Sequence, residues 1–299
     1  TKAVAMIKAD AYGCGALAVG QTPSHYNCDY FGVAVADEGV ELRKAGIKTP
    51  NIIMNPELNT FDLMIKYRLE PEIYSFKLLK SFAQYTENEG INNFPIHLKI
   101  DTGMHRLGFE PKDIDALIEF LINNQSLKVE SAFSHLVASE DPEEDEFTLK
   151  QIETFKRITD KLQNSLNITF LRHILNTSGI QRFPKYQMDM VRMGIGLYGI
   201  GIDENSPIRP VATLKTRILQ IKELESEETV GYNRKGQLGK PSRIAAIPIG
   251  YADGLDRHLG NGKYGSHFCA CALSKSQFLG IDQIGDAVTY SQSTNHILL

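Results

Sequence analysis

The sequence has few of the features that mark fibrous, secreted or membrane-spanning proteins. It has four cysteines in 299 residues, and none forms a Cys-x-x-Cys pair, so neither a disulfide framework nor a structural zinc site is indicated. No run of about 18 apolar residues is present, so no transmembrane helix is predicted. The formal net charge of -4 argues against a nucleic-acid or anionic-membrane binder, because both need a basic face. We therefore expect a cytoplasmic protein that acts on a small molecule.

Length and composition are those of an ordinary globular protein with two domains. A prior of roughly one domain per 150 residues predicts two domains for this length. Hydrophobic residues make up 42% of the chain and charged residues 23%, which excludes a disordered chain. The sequence has no initiator methionine and begins close to a predicted strand, so we expect a fragment or a trimmed chain.

Apolar runs alternate with amphipathic stretches over the first two thirds of the sequence. The runs predicted to be strands are Val4–Ala9, Tyr30–Ala36, Asn51–Asn55, Glu70–Ser75, Ile96–Asp101, Val129–Val137, Leu171–Thr177 and Met190–Tyr198. The stretches predicted to be helices are Asp37–Ala45, Thr60–Tyr67, Phe76–Thr86, Lys112–Asn123 and Asp145–Gln163. Near-continuously apolar strands separated by helices indicate a parallel sheet that is buried on both faces. Eight such units predict an α/β fold, a (β/α)8 TIM barrel, over residues 1–208.

The pattern changes after Pro207 and Pro210. Strands are predicted at Val211–Glu223, Ser242–Ile249 and Ala287–Ser291, and glycine- and asparagine-rich turns lie between them. No helical pattern follows. We therefore assign residues 209–299 to a smaller, mostly β C-terminal domain, and we expect that domain to be incomplete.

Polar residues occur where the barrel strands are predicted to end. Barrel enzymes carry their active sites at the C-terminal ends of the strands, so these residues together predict an active site. Each of them alone also has an ordinary interpretation, such as a solvated loop lysine, a hydrogen-bonded structural histidine or a salt-bridged arginine. The residues are Lys8, Lys99, Asp101, His135, Asn176, Thr177 and Arg192.

Lys8 is the most informative of these residues. It follows four apolar residues and lies four residues before Tyr12. A lysine in an apolar pocket has a lowered pKa and can form a Schiff base with an aldehyde. The seventh and eighth strands lead into Thr177-Ser178-Gly179 and Gly194-Ile195-Gly196, which supply a hydroxyl and backbone N–H groups where barrels commonly bind phosphate. An amine beside a phosphate site predicts pyridoxal 5′-phosphate (PLP) as the cofactor.

One further pattern does not predict a nucleotide site. Gly194-x-Gly196-x-x-Gly199 matches the dinucleotide-binding fingerprint as a string. That fingerprint must open a helix, and no helical pattern follows here, so a Rossmann site is disfavoured.

Several motifs together resemble those of the alanine racemase family. They are Lys8-Ala-Asp-Ala-Tyr12-Gly, Lys99-Ile-Asp-Thr-Gly-Met-His-Arg106, Phe133-Ser-His135, His173-Ile-Leu-Asn176-Thr177, Met190-Val-Arg192-Met-Gly194-Ile195, Thr229-Val-Gly-Tyr232 and Ile249-Gly-Tyr251-Ala-Asp-Gly254. They follow the family's order from Lys8 to about Gly262. The resemblance implies a homodimer with active sites shared between subunits, which interconverts L- and D-alanine and supplies D-alanine for peptidoglycan. It implies no metal.

The resemblance also implies a role for each matching residue. Lys8 would hold PLP and act as the base on one face of the substrate, and Tyr232 of the partner subunit would be the base on the other face. Arg106 would contact substrate and the phenolic oxygen of the cofactor. Lys99, which is carbamylated in many relatives, would support Arg106. The residues implied to bind the cofactor are Lys8, Tyr12, His135, Asn176, Thr177, Arg192, Gly194, Ile195 and Tyr251.

Within that set, Arg192 is implied to face the pyridine nitrogen, and His135 to orient Arg192. The chain departs from the family's pattern at Cys14, where histidine is usual, and at Thr177, where serine is usual. Segment Tyr264–Gln283 does not fit the family's Cys-Met-Asp signature cleanly.

Three other functions stay open at this point. One is a racemase of broader specificity that acts on serine, lysine or ornithine. Another is a non-catalytic PLP-binding barrel protein, which Tyr232 on a second domain disfavours. The third is a metal-dependent barrel hydrolase built on carbamylated Lys99, which the lack of a His-x-His pair disfavours.

Overall fold

The computed structural model describes residues 1–22, 28–201, 206–209, 211, 213–254, 277–280, 288–291 and 297–298. The side chains of residues 213–215, 251, 277–280, 288–291 and 297–298 lie outside this description. The chain divides into two compact units, Thr1–Ser206 and Pro207–Leu299. Among the described residues, no helix combines the length and the apolar character that crossing a membrane requires.

Eight parallel strands form a single sheet in the first unit. Strands β1 to β8 are Lys2–Met6, Tyr30–Val33, Asn51–Ile53, Leu69–Ile73, Phe94–Lys99, Leu127–Phe133, Leu171–His173 and Met190–Met193. Their order is β7-β6-β5-β4-β3-β2-β1-β8, and Val4 of β1 pairs with Arg192 of β8. At the remaining seam, Arg192 N donates to Leu175 O at 3.0 Å. The sheet is thus a nearly closed barrel, and the predicted fold is confirmed.

Helices cover the outside of the barrel. Helices α1 to α7 are Ala16–Gln21, Ala36–Lys44, Phe61–Tyr67, Phe76–Asn88, Ile114–Ile122, Asp145–Leu166 and Thr177–Arg182. Helix α4 illustrates their construction, because Ser75 caps it by accepting from Leu78 N at 3.3 Å. Leu79 and Phe82 of α4 are fully buried, and each such burial stabilises the fold by roughly 1.5–3 kcal/mol.

The predicted C-terminal ends of the strands are wrong by several residues. Strand β6 ends at Phe133 rather than at Val137, and β8 ends at Met193 rather than at Tyr198, where a 3₁₀ turn follows. The apolar pattern continues past these ends because Leu136 and Tyr198 are still buried, at 1% and 5% exposed. The apolar pattern therefore indicates which residues are buried at the end of the barrel, and not which residues belong to a strand. As a result, the predicted site residues are divided between the last strand positions and the loops that follow.

The second unit is built from short strands. Strands β9 to β16 are Thr213–Thr216, Gln220–Leu224, Thr229–Val230, Gly236–Gln237, Ser242–Ile247, Gln277–Gly280, Val288–Ser291 and Ile297–Leu298. They pair as β10-β13-β14, β11-β12 and β16-β15-β9. The predicted strand Val211–Glu223 is in fact two strands, and Leu219 in the connection between them is exposed. A smaller β domain after the barrel is confirmed.

Candidate active site

Lys8 begins a left-handed turn, Lys8–Tyr12, which directly follows β1. The four residues from Ala9 to Tyr12 have φ angles between 51° and 56°, and Gly13 N closes the turn by donating to Ala9 O at 3.0 Å. This conformation costs each L-residue roughly 1–2 kcal/mol, so contacts outside the turn must hold it. Lys8 is exposed and directly follows Ile7, which is fully buried.

Two carboxylates hold this turn in place. The Glu38 carboxylate accepts from Ala9 N at 2.7 Å and from Ala34 N at 2.6 Å, so it joins the turn to the end of β2. Asp10 Oδ1 accepts from Ala16 N at 2.6 Å and ties the turn to α1. Glu38 lies in the first turn of α2, where an acidic residue is usual, so its position in the sequence does not indicate this second role.

The ends of β7 and β8 meet through the hydroxyl of Thr177. Thr177 Oγ1 accepts from Gly194 N at 3.2 Å and from Gly196 N at 3.1 Å, which leaves its own proton free to donate. A Cβ atom on Gly194 would lie 3.5 Å from Tyr12 Oη and 4.0 Å from Thr177 Oγ1. Tyr12 stacks on Tyr198 at 4.6 Å between ring centroids. Two hydroxyl donors thus border a glycine, and this donor set fits a phosphate group.

Asn176 and Ile195 flank this cradle. Asn176 caps α7, since its Oδ1 accepts from Gly179 N at 2.9 Å and from Ser139 Oγ at 2.8 Å. The cap fixes Thr177, the first residue of the helix, and a direct contact between Asn176 and the cofactor stays a prediction. Ile195 is 42% exposed and follows Gly194 in the 3₁₀ turn.

Arg192 is 4% exposed and is held from several sides. Its Nη2 donates to Ser134 O at 2.6 Å and to Ile174 O at 3.3 Å. Its Nη1 lies 2.9 Å from His173 Nδ1, and its Nη2 lies 3.2 Å from His135 Nδ1. Because a guanidinium has no acceptor, both imidazole nitrogens must accept. The arginine plane is therefore fixed in one orientation.

Burial and charge keep the two histidines neutral. Burial, with the Arg192 charge adding to it, lowers the pKa of His135 to about 2. The same two causes hold the pKa of His173 well below its usual range. Burial also lowers the pKa of Arg192 to about 10, so the guanidinium remains charged at neutral pH. A permanent cation thus faces two neutral acceptors.

Lys99 pairs with a carboxylate that the sequence analysis missed. Lys99 Nζ lies 4.0 Å from Glu72 Oε1 and 4.4 Å from the centroid of the Phe133 ring. Burial raises the pKa of Glu72 and lowers that of Lys99, and each charge opposes the shift of the other. Lys8 and Arg192 also act on Glu72 as positive charges. The site therefore carries an excess of positive charge, which favours a phosphate dianion.

Arg106 lies exposed on the loop after β5. Asp101 Oδ1 shapes this loop by accepting from the N–H groups of residues 103, 104 and 105 at 2.9, 3.0 and 3.1 Å. Gly108 closes it with a φ of 130°, where a Cβ atom would come within 2.6 Å of Asp101 N. The loop thus has a fixed shape, and the implied contact between Lys99 and Arg106 stays a prediction.

Tyr232 lies in the second unit, in a 3₁₀ turn between β11 and β12, and is 58% exposed. Gly231 precedes it with a φ of 77°, which glycine allows. Arg234 Nε donates to Thr229 Oγ1 at 3.0 Å and closes the turn. The backbone of Tyr251 begins another 3₁₀ turn, but its side chain lies outside the described residues, as does most of segment Tyr264–Gln283.

Comparison with known protein families covers both units. Residues 1–201 match the family model described as alanine racemase, N-terminal domain. Residues 211–271 match the model described as alanine racemase, C-terminal domain. The chain belongs to the alanine racemase family.

Curated alanine racemases are similar over most of the chain. That of Fusobacterium nucleatum is 37% identical over 263 residues, which cover 87% of this chain and 72% of the relative. That of Halothermothrix orenii is 34% identical over 266 residues, which cover 87% and 69%. The alanine racemase structure from Clostridium difficile 630 has a TM-score of 0.79 at 30% identity and covers 96% of this chain and 79% of that one.

A second solved alanine racemase is described with a bound cofactor. The structure from Bartonella henselae is described as having covalently bound pyridoxal phosphate. It has a TM-score of 0.84 at 26% identity, and the match covers 97% of this chain and 83% of that chain. These similarities agree with the donor set around Thr177 and Tyr12.

Proposed function

We propose that this chain is a PLP-dependent alanine racemase that interconverts L-alanine and D-alanine. The observation that carries the proposal is the arrangement at the C-terminal end of the barrel. There the amine of Lys8 follows β1, Gly194 follows the neighbouring strand β8, and Thr177, which follows β7, completes the cradle. The family membership of both units supports the same activity.

Lys8 would hold the cofactor through its amine. When bound, PLP supplies an electron-withdrawing ring that stabilises negative charge at the substrate Cα. Lys8 would remove or return the Cα proton on one face of the substrate. The hydroxyls of Tyr12 and Thr177 and the backbone of Gly194 and Ile195 would bind phosphate, and Tyr251 would lie near it.

Arg192 would face the ring nitrogen of the cofactor. Its guanidinium stays charged, so a second positive charge at that nitrogen is disfavoured and the nitrogen stays unprotonated. Neutral His135 would hold Arg192 in place, and Asn176 would fix the end of the cradle. Arg106 would contact the phenolic oxygen and the substrate, with Lys99 behind it.

Tyr232 of the partner subunit would act on the opposite face of the substrate. Racemisation needs one group that removes the Cα proton and another that returns it from the other side. The exposed phenol of Tyr232 supports a role at a site outside its own unit. We therefore also propose a homodimer with shared sites, located in the cytoplasm, that supplies D-alanine for peptidoglycan.

Borohydride reduction followed by peptide mapping tests the proposal directly. The protein is incubated with PLP, reduced and digested, and the peptides are weighed by mass spectrometry. We expect the mass of a phosphopyridoxyl group on the peptide that contains Lys8. A folded, PLP-treated protein without that mass would overturn the assignment.

Two variants complete the test. Lys8→Ala removes the amine, and Lys8→Arg replaces it with a guanidinium that is essentially never deprotonated. Both should lose racemisation in both directions. Lys44→Arg, at the exposed end of α2, is the matched control and should keep full activity. More than trace turnover by either Lys8 variant would refute the role of this lysine.

A further inference from the structure

Five buried or nearly buried side chains form a continuous hydrogen-bonded network inside the barrel. Consecutive strands from β8 to β4 contribute one residue each: Arg192, His173, Ser131, His97 and Glu70. His173, Ser131 and His97 are fully buried, and the Glu70 side chain is 14% exposed. We call this set the barrel network.

Short distances connect the members of the barrel network. Arg192 Nη1 lies 2.9 Å from His173 Nδ1, and His173 Nε2 lies 2.9 Å from Ser131 Oγ. Ser131 Oγ lies 2.6 Å from His97 Nδ1, and His97 Nε2 lies 2.9 Å from Glu70 Oε2. The network therefore leads without interruption from Arg192, near the C-terminal end of β8, to Glu70, near the N-terminal end of β4.

The chemistry of its two ends gives the network one direction. Arg192 can only donate, so His173 Nδ1 accepts and the proton of neutral His173 is on Nε2. That Nε2–H donates to Ser131 Oγ, whose own proton is then free to donate to His97 Nδ1. His97 consequently carries its proton on Nε2 and donates to the Glu70 carboxylate, which can only accept.

Aromatic rings fix the two histidines within this network. The Phe133 ring stacks on His173 at 4.8 Å with an angle of 14° between the planes, and Arg192 lies 5.1 Å from the centroid of the same ring. Tyr30 meets His97 edge-on at 5.8 Å. Neither imidazole can turn freely, so each hydrogen bond keeps its direction.

We propose that Glu70, His97 and Ser131 are positioning residues, which act through His173 to hold Arg192 in the orientation that the cofactor meets. The inference rests on the proposed function for what Arg192 faces. In a network of aligned hydrogen bonds each link polarises the next, so a change at Glu70 is felt at His173, three hydrogen bonds away. Ser131 connects the two histidines, because its single hydroxyl accepts a hydrogen bond from His173 and donates one to His97.

Nitrogen resonances of the ¹⁵N-histidine-labelled holoenzyme test the network itself. We expect the proton on Nε2 in both His173 and His97. Ser131→Ala should shift the His173 Nε2 and His97 Nδ1 resonances, and Glu70→Gln should shift His173 Nε2 as well as His97. Ser126→Ala is the matched control, because Ser126 is an equally buried serine bonded to Thr86 and Asn124. It should shift neither histidine.

A double-mutant cycle tests the action on Arg192. Ser131→Ala removes the hydrogen bonds to both histidines. It should lower kcat about fivefold with KM within about twofold, because part of the free energy of the lost hydrogen bonds, about 0.5–1.5 kcal/mol each, holds Arg192 in place. Glu70→Gln alone should lower kcat about threefold. In the Ser131→Ala background it should cause no further loss, because without the Ser131 hydroxyl the charge of Glu70 no longer affects His173. Glu87→Gln replaces an exposed carboxylate on α4 that accepts from Asn124 Nδ2; it is the control for loss of charge and should keep full activity.

Several results would overturn the proposal. They are a proton on His173 Nδ1, a doubly protonated His97, an unchanged His173 in Glu70→Gln, and independent effects that multiply to about fifteenfold in the double variant. A holoenzyme without any racemase activity would instead overturn the proposed function, and the nitrogen resonances would then decide the network alone.

Discussion

The carboxylate of Glu38 accepts a hydrogen bond of 2.7 Å from the backbone N–H of Ala9, the residue that directly follows Lys8. Its other oxygen accepts from Ala34 N at 2.6 Å. One side chain thus fixes the distance between the ends of β1 and β2. Because the turn that carries Lys8 is conformationally strained, we regard this contact as the main support of the lysine.

Glu38→Gln should loosen the position of Lys8. A glutamine has one acceptor oxygen and therefore leaves one of the two N–H groups, Ala9 or Ala34, facing an amide donor. We expect a loss of about 1 kcal/mol in unfolding free energy and weaker PLP binding, measured by denaturation and by titration of PLP absorbance. Asp37→Asn, a neighbouring exposed residue, is the matched loss of charge and should change neither quantity. Equal PLP binding by Glu38→Gln and the wild type would contradict this role.

Thr177→Val should damage the cradle where β7 and β8 end. The variant keeps the shape of the side chain but leaves the N–H groups of Gly194 and Gly196 without their acceptor, which costs about 1–3 kcal/mol per buried donor. We expect PLP affinity to fall at least about tenfold. Thr177→Ser keeps the hydroxyl and should bind PLP nearly as well as the wild type. If Thr177→Ser binds PLP as weakly as Thr177→Val, the hydroxyl alone does not preserve binding and the role assigned to it is contradicted.

The neutral state of His135 predicts a loss of stability in acid. Its pKa is lowered to about 2 in the folded protein, against about 6.5 in an unfolded chain. Below pH 6.5 the unfolded state therefore binds a proton that the folded state does not. The stability that His135 contributes is complete above pH 6.5 and falls by up to about 1.4 kcal/mol per pH unit as the pH decreases.

His135→Gln should remove that dependence. Urea denaturation of the cofactor-free protein between pH 7 and pH 4 should give a shallower decline for the variant than for the wild type. His105→Gln replaces an exposed histidine and should decline like the wild type. Parallel curves for all three proteins would mean that His135 takes up its proton without unfolding.

The two-base proposal predicts complementation between inactive subunits. Homodimers of Lys8→Ala or of Tyr232→Phe lack one base at every site. If Tyr232 acts on the partner's Lys8 site, a mixed dimer has one intact site, and random reassortment of equal amounts should restore about a quarter of wild-type sites. D-Alanine formation after co-refolding measures the recovery.

The control for this experiment is the wild type, refolded in the same way. Full recovery of the wild type without recovery of the mixture, when mixed dimers are shown to form, would place Tyr232 in its own subunit's site or outside catalysis. An inactive refolded wild type would instead show that refolding, and not the position of Tyr232, limits the recovery.

Local patterns were sufficient to predict the barrel but not the ends of its strands. Eight apolar runs and the helices between them predict the topology, because burial on both faces leaves a strong signal. The turn after β1 was out of reach, since nothing in Ala9-Asp10-Ala11 indicates four left-handed residues in succession. The contact with the distant Glu38 carboxylate helps to make that conformation stable, and sequence patterns do not reveal such contacts.

The missed residues of the barrel network, and Glu72 beside Lys99, lie inside the barrel rather than at its end. His97 stands two positions before Lys99, so the period of two in a strand already placed both side chains on one face. Glu72 and Ser131 lie within runs that are predicted as apolar strands, so neither stands out as a site residue. Their importance comes from neighbours on other strands, and the register that makes them neighbours is fixed only by the folded sheet.

The pairing of β1 with β8 has a consequence for synthesis on the ribosome. The two halves of the phosphate and lysine site lie about 185 residues apart in the chain, and parallel pairing at such separation forms late and slowly. A nascent chain that ends before β8 has its Lys8 turn but no Gly194 to face Tyr12. Binding of PLP by the nascent chain therefore indicates that β8 has paired with β1 and closed the barrel. PLP added during translation should first be retained once β8 has left the ribosomal tunnel.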